Sequence, residues 1–325
     1  MPTAQLTTRP YADADAEAVT DLLNEVDIAA GGQPANDVDE TRAVIDSIVR
    51  DVARDTRVVV TGDGEIVAVG LVPTPPPGGF RVDLVGGVRP LWYGRGLGRE
   101  LLDWQVERAR EIHQAVAPQA RWAVHADVLA GNDPAIRLYR RFGFTAVRHW
   151  FEMVADTSGD AGARAVAAPL PEGLALVPYS PGFGNDLYAA HMTAFEDHWG
   201  YQRRPEDEWR RLTVESATFL PALSRLALAG NRVAGYCLAY TDPQPHRVYV
   251  GHVGTSREWR RRGVASALLG AVLAAAGNAG AEEVVLNVDA SSPTGAVGVY
   301  ERAGFEVDSR GVTYALTLES RTAID

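Results

Sequence analysis

Val253 to Leu269 reads V-G-T-S-R-E-W-R-R-R-G-V-A-S-A-L-L. The pattern is the end of a strand, a tight basic glycine turn, and the first turns of a helix. Such a turn leaves several backbone N–H groups free at a helix N-terminus. With the helix dipole, those donors favour an anion, above all a phosphate. Gly263 and Ala265 are small enough for the backbone to approach that anion closely, and Val264 and Ser266 open the helix beside them. Arg260, Arg261 and Arg262 add positive charge at the mouth. The same arrangement occurs earlier, from Val88 to Leu102, as V-R-P-L-W-Y-G-R-G-L-G-R-E-L-L.

The elements around the two turns repeat in order. Before the first turn the pattern predicts a strand at Leu6–Arg9, helices following Asp13 and over Asp39–Asp51, a hairpin over Arg57–Val72, and a strand from Phe80. After it come a helix to about Gln114, a strand over Arg121–Asp127, a short helix opened by Asn132, and a final pair of strands to about Val154. The order restarts at Leu174 and ends with closing strands from Phe305 and over Gly311–Leu318. Both halves read β-α-α-β-β-β-α-β-α-β-β. Matched order with matched turns indicates a duplication. The expected domains are 1–155 and 174–325, joined by a Gly-, Ala- and Pro-rich linker over 156–173.

Composition narrows the function. A chain of 325 residues suits two domains, and 46% hydrophobic residues suffice for two cores. A net charge of −11 without a basic tail argues against nucleic acid as a partner. It is compatible with steering a cationic amine, or with a generally acidic proteome. All 31 basic residues are arginine, and alanine and glycine are abundant, as in the GC-rich genomes of actinobacteria. No signal peptide and no run of about 20 apolar residues is visible, so no membrane association is expected. The lone Cys237 lies in an apolar run and reads as a buried thiol in a reducing, cytoplasmic setting. No Cys/His spacing suits zinc, and no G-K-[ST] follows either turn, so neither a metal site nor a P-loop is expected.

A second signal follows each turn. In the first half it is N-D-P-A-I-R-L-Y-R-R-F-G-F, Asn132 to Phe144. In the second it is S-S-P-T-G-A-V-G-V-Y-E-R-A-G-F, Ser291 to Phe305. With Arg260, Gly263 and Ala265, this pair of ordered motifs resembles the GCN5-related N-acetyltransferase superfamily. The duplicated layout is similar to its tandem-domain mycothiol synthase type from actinobacteria. The resemblance implies an α/β (α+β) fold of two tandem domains, each a mixed, mostly antiparallel twisted sheet flanked by helices.

The resemblance also implies roles. The turn Arg260 to Ala265 would bind the pyrophosphate of acetyl-CoA, the co-substrate. Val253 and Thr255 would bond its pantetheine, and a backbone N–H there would polarise the thioester. Tyr300 would protonate the departing thiolate. In the first half Val88, Gly94, Arg95, Gly96, Leu97 and Gly98 form the matching cradle, with Asn132 and Tyr139 downstream. There Tyr93 replaces Arg260, and in the second half Ser292 stands where Asn is usual. Retention of Arg260 places the chemistry in the second half, with the first as a degenerate or regulatory CoA site.

His252, on the strand entering the second turn, reads either as a general base or as a satisfied interior histidine, and Asp83 is its first-half counterpart. Glu196, Asp197, His198, Trp199 and Tyr201 read either as an amine-binding wall or as an ordinary helix end. The expected activity is acetylation of a primary amine on a small molecule, by a monomer or homodimer. The alternatives are a non-catalytic acyl-CoA-binding scaffold, a catalytic first half, and acetylation of a protein N-terminus.

Overall fold

The computed structural model describes residues 5–34, 36–158, 169–292 and 295–318. The chain divides into two units, one of Met1–Arg148 with Gly311–Asp325 and one of His149–Arg310.

In the first unit, β1 (Leu6–Arg9), β2 (Thr56–Thr61), β3 (Ile66–Leu71), β4 (Arg81–Val88) and β5 (Trp122–Leu129) lie side by side in that order. All neighbours are antiparallel except β4 and β5, which run parallel. A parallel neighbour needs a crossover, and α4 (Leu97–Val116) provides it. Its apolar stripe of Leu102, Val106, Ala109 and Ile112 packs on Val82, Trp122 and Val124. On the other face α1 (Ala16–Ala29) and α2 (Val38–Ile48) bury Val19, Leu22 and Ile45 against Val58, Val60 and Val69. A one-turn helix, α3 (Val52–Asp55), precedes β2, and α5 (Asp133–Arg141) follows β5.

The second unit repeats the plan. Its strands are β7 (Ala175–Pro178), β8 (Arg225–Ala229), β9 (Arg232–Thr241), β10 (Arg247–Thr255) and β11 (Glu283–Asp289), with only β10 and β11 parallel. Helices α6 (Gly184–Phe195) and α7 (Glu206–Leu212) cover one face. The crossover α8 (Val264–Asn278) covers the other, and α9 (Ala296–Arg302) follows β11. β9 is buried on both faces, with Tyr236, Leu238 and Tyr240 on the α6 side and Cys237 and Ala239 on the α8 side. Cys237 is a fully buried free thiol, and desolvation holds its pKa far above the usual thiol range.

The closing strands differ from the sequence reading in form, and their pairing crosses the two sequence halves. Residues 144–154, read as a pair, form one strand, β6 (Thr145–Asp156). Phe305 onward is likewise one strand, β12 (Glu306–Leu318). β6 pairs antiparallel with β11, from Trp150 opposite Asp289 to Asp156 opposite Glu283. β12 pairs antiparallel with β5, from Gly311 opposite Leu129 to Leu318 opposite Trp122. The strand that ends the first sequence half thus completes the second unit, and the last strand of the chain completes the first. Of the expected linker over 156–173, Asp156 is still strand, the Thr157 N–H donates to the Glu282 carbonyl (2.8 Å), and 159–168 lie outside the described residues.

Among the described residues, no helix is long and apolar enough to cross a membrane. No group of three His, Cys, Asp or Glu side chains among them is placed to hold a metal ion.

Candidate active site

The site in the second unit begins where two parallel strands part. β10 and β11 are in register from Arg247 opposite Glu283 to Val250 opposite Leu286, and there the pairing ends. On its other edge β10 stays paired with β9 to Thr255, opposite Gly235. Gly251 is an extra residue between Val250 and His252, a bulge that kinks β10 at the point of divergence. Val253 lies opposite Cys237, and both pack in the α8 core. The edge of Val253–Thr255 that faces away from β9 therefore has no strand register with β11. Open main-chain groups inside a sheet form a slot for an extended, amide-bearing ligand.

The glycine turn closes one end of this slot. Arg260 is extended, Arg261 takes a positive φ of 61°, and Gly263, at φ 87°, is the N-cap of α8. An arginine in this left-handed region costs on the order of 1 kcal/mol. The first unit has glycine at the matching residue, Gly94, with φ 78°, and Gly96 caps α4 at φ 92°. Val264 is buried at the start of α8, and Ala265 and Ser266 follow in its first turn. Arg262 stacks over Trp259 at 5.1 Å, as Arg95 stacks over Trp92 at 4.3 Å.

Arg260 does not project from the turn. Its Nε donates to the Thr255 carbonyl (3.3 Å), its Nη1 pairs with Asp197 (2.8 Å), and its Nη2 donates to the Ala194 carbonyl (3.1 Å). Arg257 grips the same Asp197 carboxylate through Nη2 (2.7 Å) and also meets Glu196 at 3.2 Å. Hydrogen bonds from Arg257 and Arg260 hold the Asp197 carboxyl below its ordinary pKa. The two acidic members of the expected amine-binding wall are thus paired with the turn's own arginines.

The rest of that wall is aromatic. His198 stacks on Phe195 (5.3 Å between centroids) and on Trp150 (6.3 Å), and Trp199 also meets Trp150. The Tyr201 hydroxyl donates to Met192 Sδ (2.9 Å), and burial pushes its pKa up to about 12. His252 lies beneath this wall. Its Nδ1 shares a 3.1 Å hydrogen bond with the Tyr240 hydroxyl, and its ring meets His191 edge-on at 5.3 Å. Burial, with His198 nearby, lowers its pKa to about 4, so the imidazole is neutral at pH 7.

Tyr300 lies on α9 and packs edge-on against Phe305 at 6.0 Å, in the core that contains Cys237 and Val253. Desolvation, and then Cys237 and Tyr249, push its pKa far up, so the phenol keeps its proton. The helix is capped by Gly295 rather than opened by Ser292, whose N–H donates to the Asp289 carbonyl at 3.0 Å. His252 thus belongs with the aromatic side chains on the α6 face of the sheet and Tyr300 with the core on the α8 face.

The first unit carries the matching parts with different fillings. β4 and β5 part after Leu84 opposite Ala126, while Val88 stays in register with Ala68. Leu97 and Gly98 begin α4, and Tyr93 is partly buried, with its pKa raised by desolvation and Asp27. Asn132 Oδ1 caps α5 by accepting from the Ala135 N–H (3.2 Å). Tyr139 packs against Phe144 and Tyr314, its pKa pushed up to about 12 by burial. Asp83 is bound by Arg81 (2.7 Å) and approaches His125 at 3.7 Å. Gln105 of α4 donates to the carbonyls of Leu71 (3.0 Å) and Val85 (2.9 Å), capping the start of the diverging segment. The turns align Gln105 with the fully buried Val272 of α8, so the second unit has no such cap.

Several site residues escape sequence reading. His191 is buried, with Nδ1 2.9 Å from the Tyr236 hydroxyl and its ring stacked on Phe195 at 4.4 Å. Tyr236, Tyr240, Arg257 and Gln105 also belong to this group. The available signal is the i, i+4 pair of tyrosines on β9.

Comparison with known proteins agrees with this architecture. Residues 184–305 match the Acetyltransferase (GNAT) family, and residues 54–146 match an Acetyltransferase (GNAT) domain. The chain is 32% identical to the mycothiol acetyltransferase of Clavibacter michiganensis over 244 residues, 73% of this chain and 72% of that one. It is 27% identical to the Corynebacterium efficiens protein of the same name, over 85% of this chain and 88% of that one. A GCN5-related N-acetyltransferase from Sphaerobacter thermophilus superposes with a TM-score of 0.78 at 28% identity, covering 99% of each chain. A tandem GNAT protein from the clavulanic acid biosynthesis pathway shares the fold, with a TM-score of 0.70 at 18% identity over 96% of this chain and 98% of that one. With its parted parallel strands, glycine turns and duplicated plan, the chain is a tandem-domain N-acetyltransferase of the GNAT family.

Proposed function

We propose that the second unit transfers the acetyl group of acetyl-CoA to a primary amine on a small molecule, with the first unit as a degenerate or regulatory CoA site. The observation that carries this reading is the parting of β10 from β11 after Val250, flanked by the Gly263 turn and Tyr300. Acetyl-CoA supplies an activated thioester. The main chain of Val253 and Thr255 would hold its pantetheine, and the N–H groups of the Arg260–Ala265 turn its pyrophosphate. Those turn groups fit a diphosphate because they combine positive-φ backbone with arginine charge.

The residues then divide the proton work. The acceptor amine approaches from the α6 face, where neutral His252 takes the proton the attacking nitrogen must lose. A main-chain N–H of β10 carries the charge that develops on the carbonyl oxygen. Tyr300, protonated at neutral pH, delivers a proton to the departing sulfur from the opposite face. The aromatic wall of Phe195, His198, Trp199 and Tyr201 excludes water and packs against the body of the acceptor. The pairing of Glu196 and Asp197 with arginine favours recognition by stacking and hydrogen bonding over a salt bridge. The curated relatives' name, mycothiol acetyltransferase, supports a small-molecule acceptor.

Two features favour the second unit as the active one. Arg260 stands where the first unit has Tyr93, and Gln105 occupies the Val85 carbonyl at the start of the first unit's slot. The test is release of free thiol from acetyl-CoA across a panel of primary amines, with Gly263→Asp and Gly96→Asp compared. Turnover lost with Gly263→Asp and kept with Gly96→Asp is the expected result. The reverse pattern assigns the chemistry to the first unit, and no turnover with any amine favours a binding protein.

A further inference from the structure

Asp197 lies 63 residues before Arg260, on the loop that carries the aromatic wall. It is gripped by both Arg257 and Arg260, while Arg260 also holds the Ala194 carbonyl at the end of α6. Each of the three guanidinium nitrogens of Arg260 already donates within the protein. Two arginines on one carboxylate, one of them also tied to the Ala194 carbonyl, form a charge-assisted network stronger than an isolated surface pair. The guanidinium that a diphosphate at the turn would attract is therefore the one that fastens the acceptor wall.

We infer that Asp197 is a positioning residue that couples the two binding sites: acyl-CoA pyrophosphate at the turn competes with its carboxylate for Arg257 and Arg260, and so releases the 195–201 loop. This rests on the reading of the turn as the acyl-CoA site. A diphosphate carries more charge than a single carboxylate and accepts from both arginines at once. Once Arg260 turns toward it, the loop loses its ties to Asp197 and to the Ala194 carbonyl together. The segment with His198, Trp199 and Tyr201 is then free to close on an acceptor. Acyl-CoA binds first in this scheme, and part of its binding energy is spent on opening the clamp. Affinity for one ligand is thereby linked to the conformation that receives the other.

The test uses the full chain and acetyl-CoA alone, so it needs no known acceptor. Asp197→Asn removes the competing charge with little change in shape. Glu196→Gln removes an equal charge from the neighbouring residue, which meets Arg257, whereas the Arg260 guanidinium is taken up by Thr255, Asp197 and Ala194. Calorimetric titration is expected to show acetyl-CoA binding about tenfold tighter to Asp197→Asn than to the parent, a change equivalent to one good ion pair. Glu196→Gln should stay within about twofold, as for an exposed pair. Amide hydrogen exchange over 195–201 should rise on acetyl-CoA binding in the parent and should already be fast in Asp197→Asn. Equal effects of the two substitutions would reduce the result to general electrostatics and overturn the coupling. So would a loop whose exchange does not respond to acetyl-CoA. A parent protein that binds no acetyl-CoA would overturn the proposed function itself, a failure visible before either variant is compared.

Discussion

Gly254 and Tyr236 face each other across β10 and β9, and a Cβ on Gly254 would overlap the tyrosine's Cζ and Oη. The Tyr236 ring, wholly buried, uses the space that glycine leaves and sends its hydroxyl to His191 Nδ1. Gly254→Ala must displace that ring or push β10 away from β9. The substitution should destabilise the protein by about 1–3 kcal/mol, the usual cost of overpacking a core. Thermal denaturation reads this directly. In a double-mutant cycle with Tyr236→Ala, which removes the overlapping ring as well as its hydroxyl, the cost of Gly254→Ala should shrink, and an undiminished cost would refute the contact as its source.

Tyr300 is the group proposed to protonate the thiolate. Tyr300→Phe keeps the ring against Phe305 and removes only the hydroxyl. Steady-state kinetics should show kcat lowered about 10²-fold or more, the scale of a lost general acid, with the KM for acetyl-CoA little changed. An unchanged kcat would remove Tyr300 from the mechanism.

Three histidines are held neutral by burial, His191 at about 3, His252 at about 4 and His125 at about 4. Each takes up a proton more readily in the unfolded chain, whose histidines titrate near 6.5. Between pH 6.5 and 4 the unfolded state therefore binds more protons, and stability falls as pH falls. Above pH 6.5 both states are neutral at these positions and the contribution is complete. Denaturant titrations should show a midpoint that drops steadily through this window. His191→Gln removes about one proton from the difference, so its slope should be shallower by about 1.4 kcal/mol per pH unit. A parallel slope would mean that His191 is not held neutral.

Gln105 donates to Leu71 and Val85 from a buried position on α4. Gln105→Leu is more apolar and similar in volume, so hydrophobicity alone predicts a gain. The two carbonyls would lose their donor, and the unpaired buried groups should cost about 1–3 kcal/mol. Chemical denaturation distinguishes the two signs.

The sequence made the local devices legible. The strand–turn–helix at Gly263 and Gly96 depends on residues a few positions apart, so its glycines and arginines state its geometry. The repeated element order likewise follows from local periodicity. What stayed hidden is set by contacts distant in sequence. β6 and β12 both read as closing strands after a Gly-Phe, and nothing in their alternation distinguishes β11 from β5 as partner. Arg260 read as a phosphate ligand because its bond to Asp197 spans 63 residues. The His191–Tyr236 pair spans 45 and joins a helix to a strand. Its members were indistinguishable from ordinary core aromatics until the packing was known.

The exchange of closing strands bears on how the protein is made. A ribosome moving from the N-terminus releases β1 to β5 early, yet the strand that pairs with β5 emerges last. The first unit therefore waits, with the β5 edge exposed, while the whole second unit is synthesised. Meanwhile the second unit already has β6, made before any other part of it, and can close as soon as β11 appears. The order of completion is the reverse of the order of synthesis. A gene cut at the apparent midpoint would encode two fragments, each carrying the other's final strand.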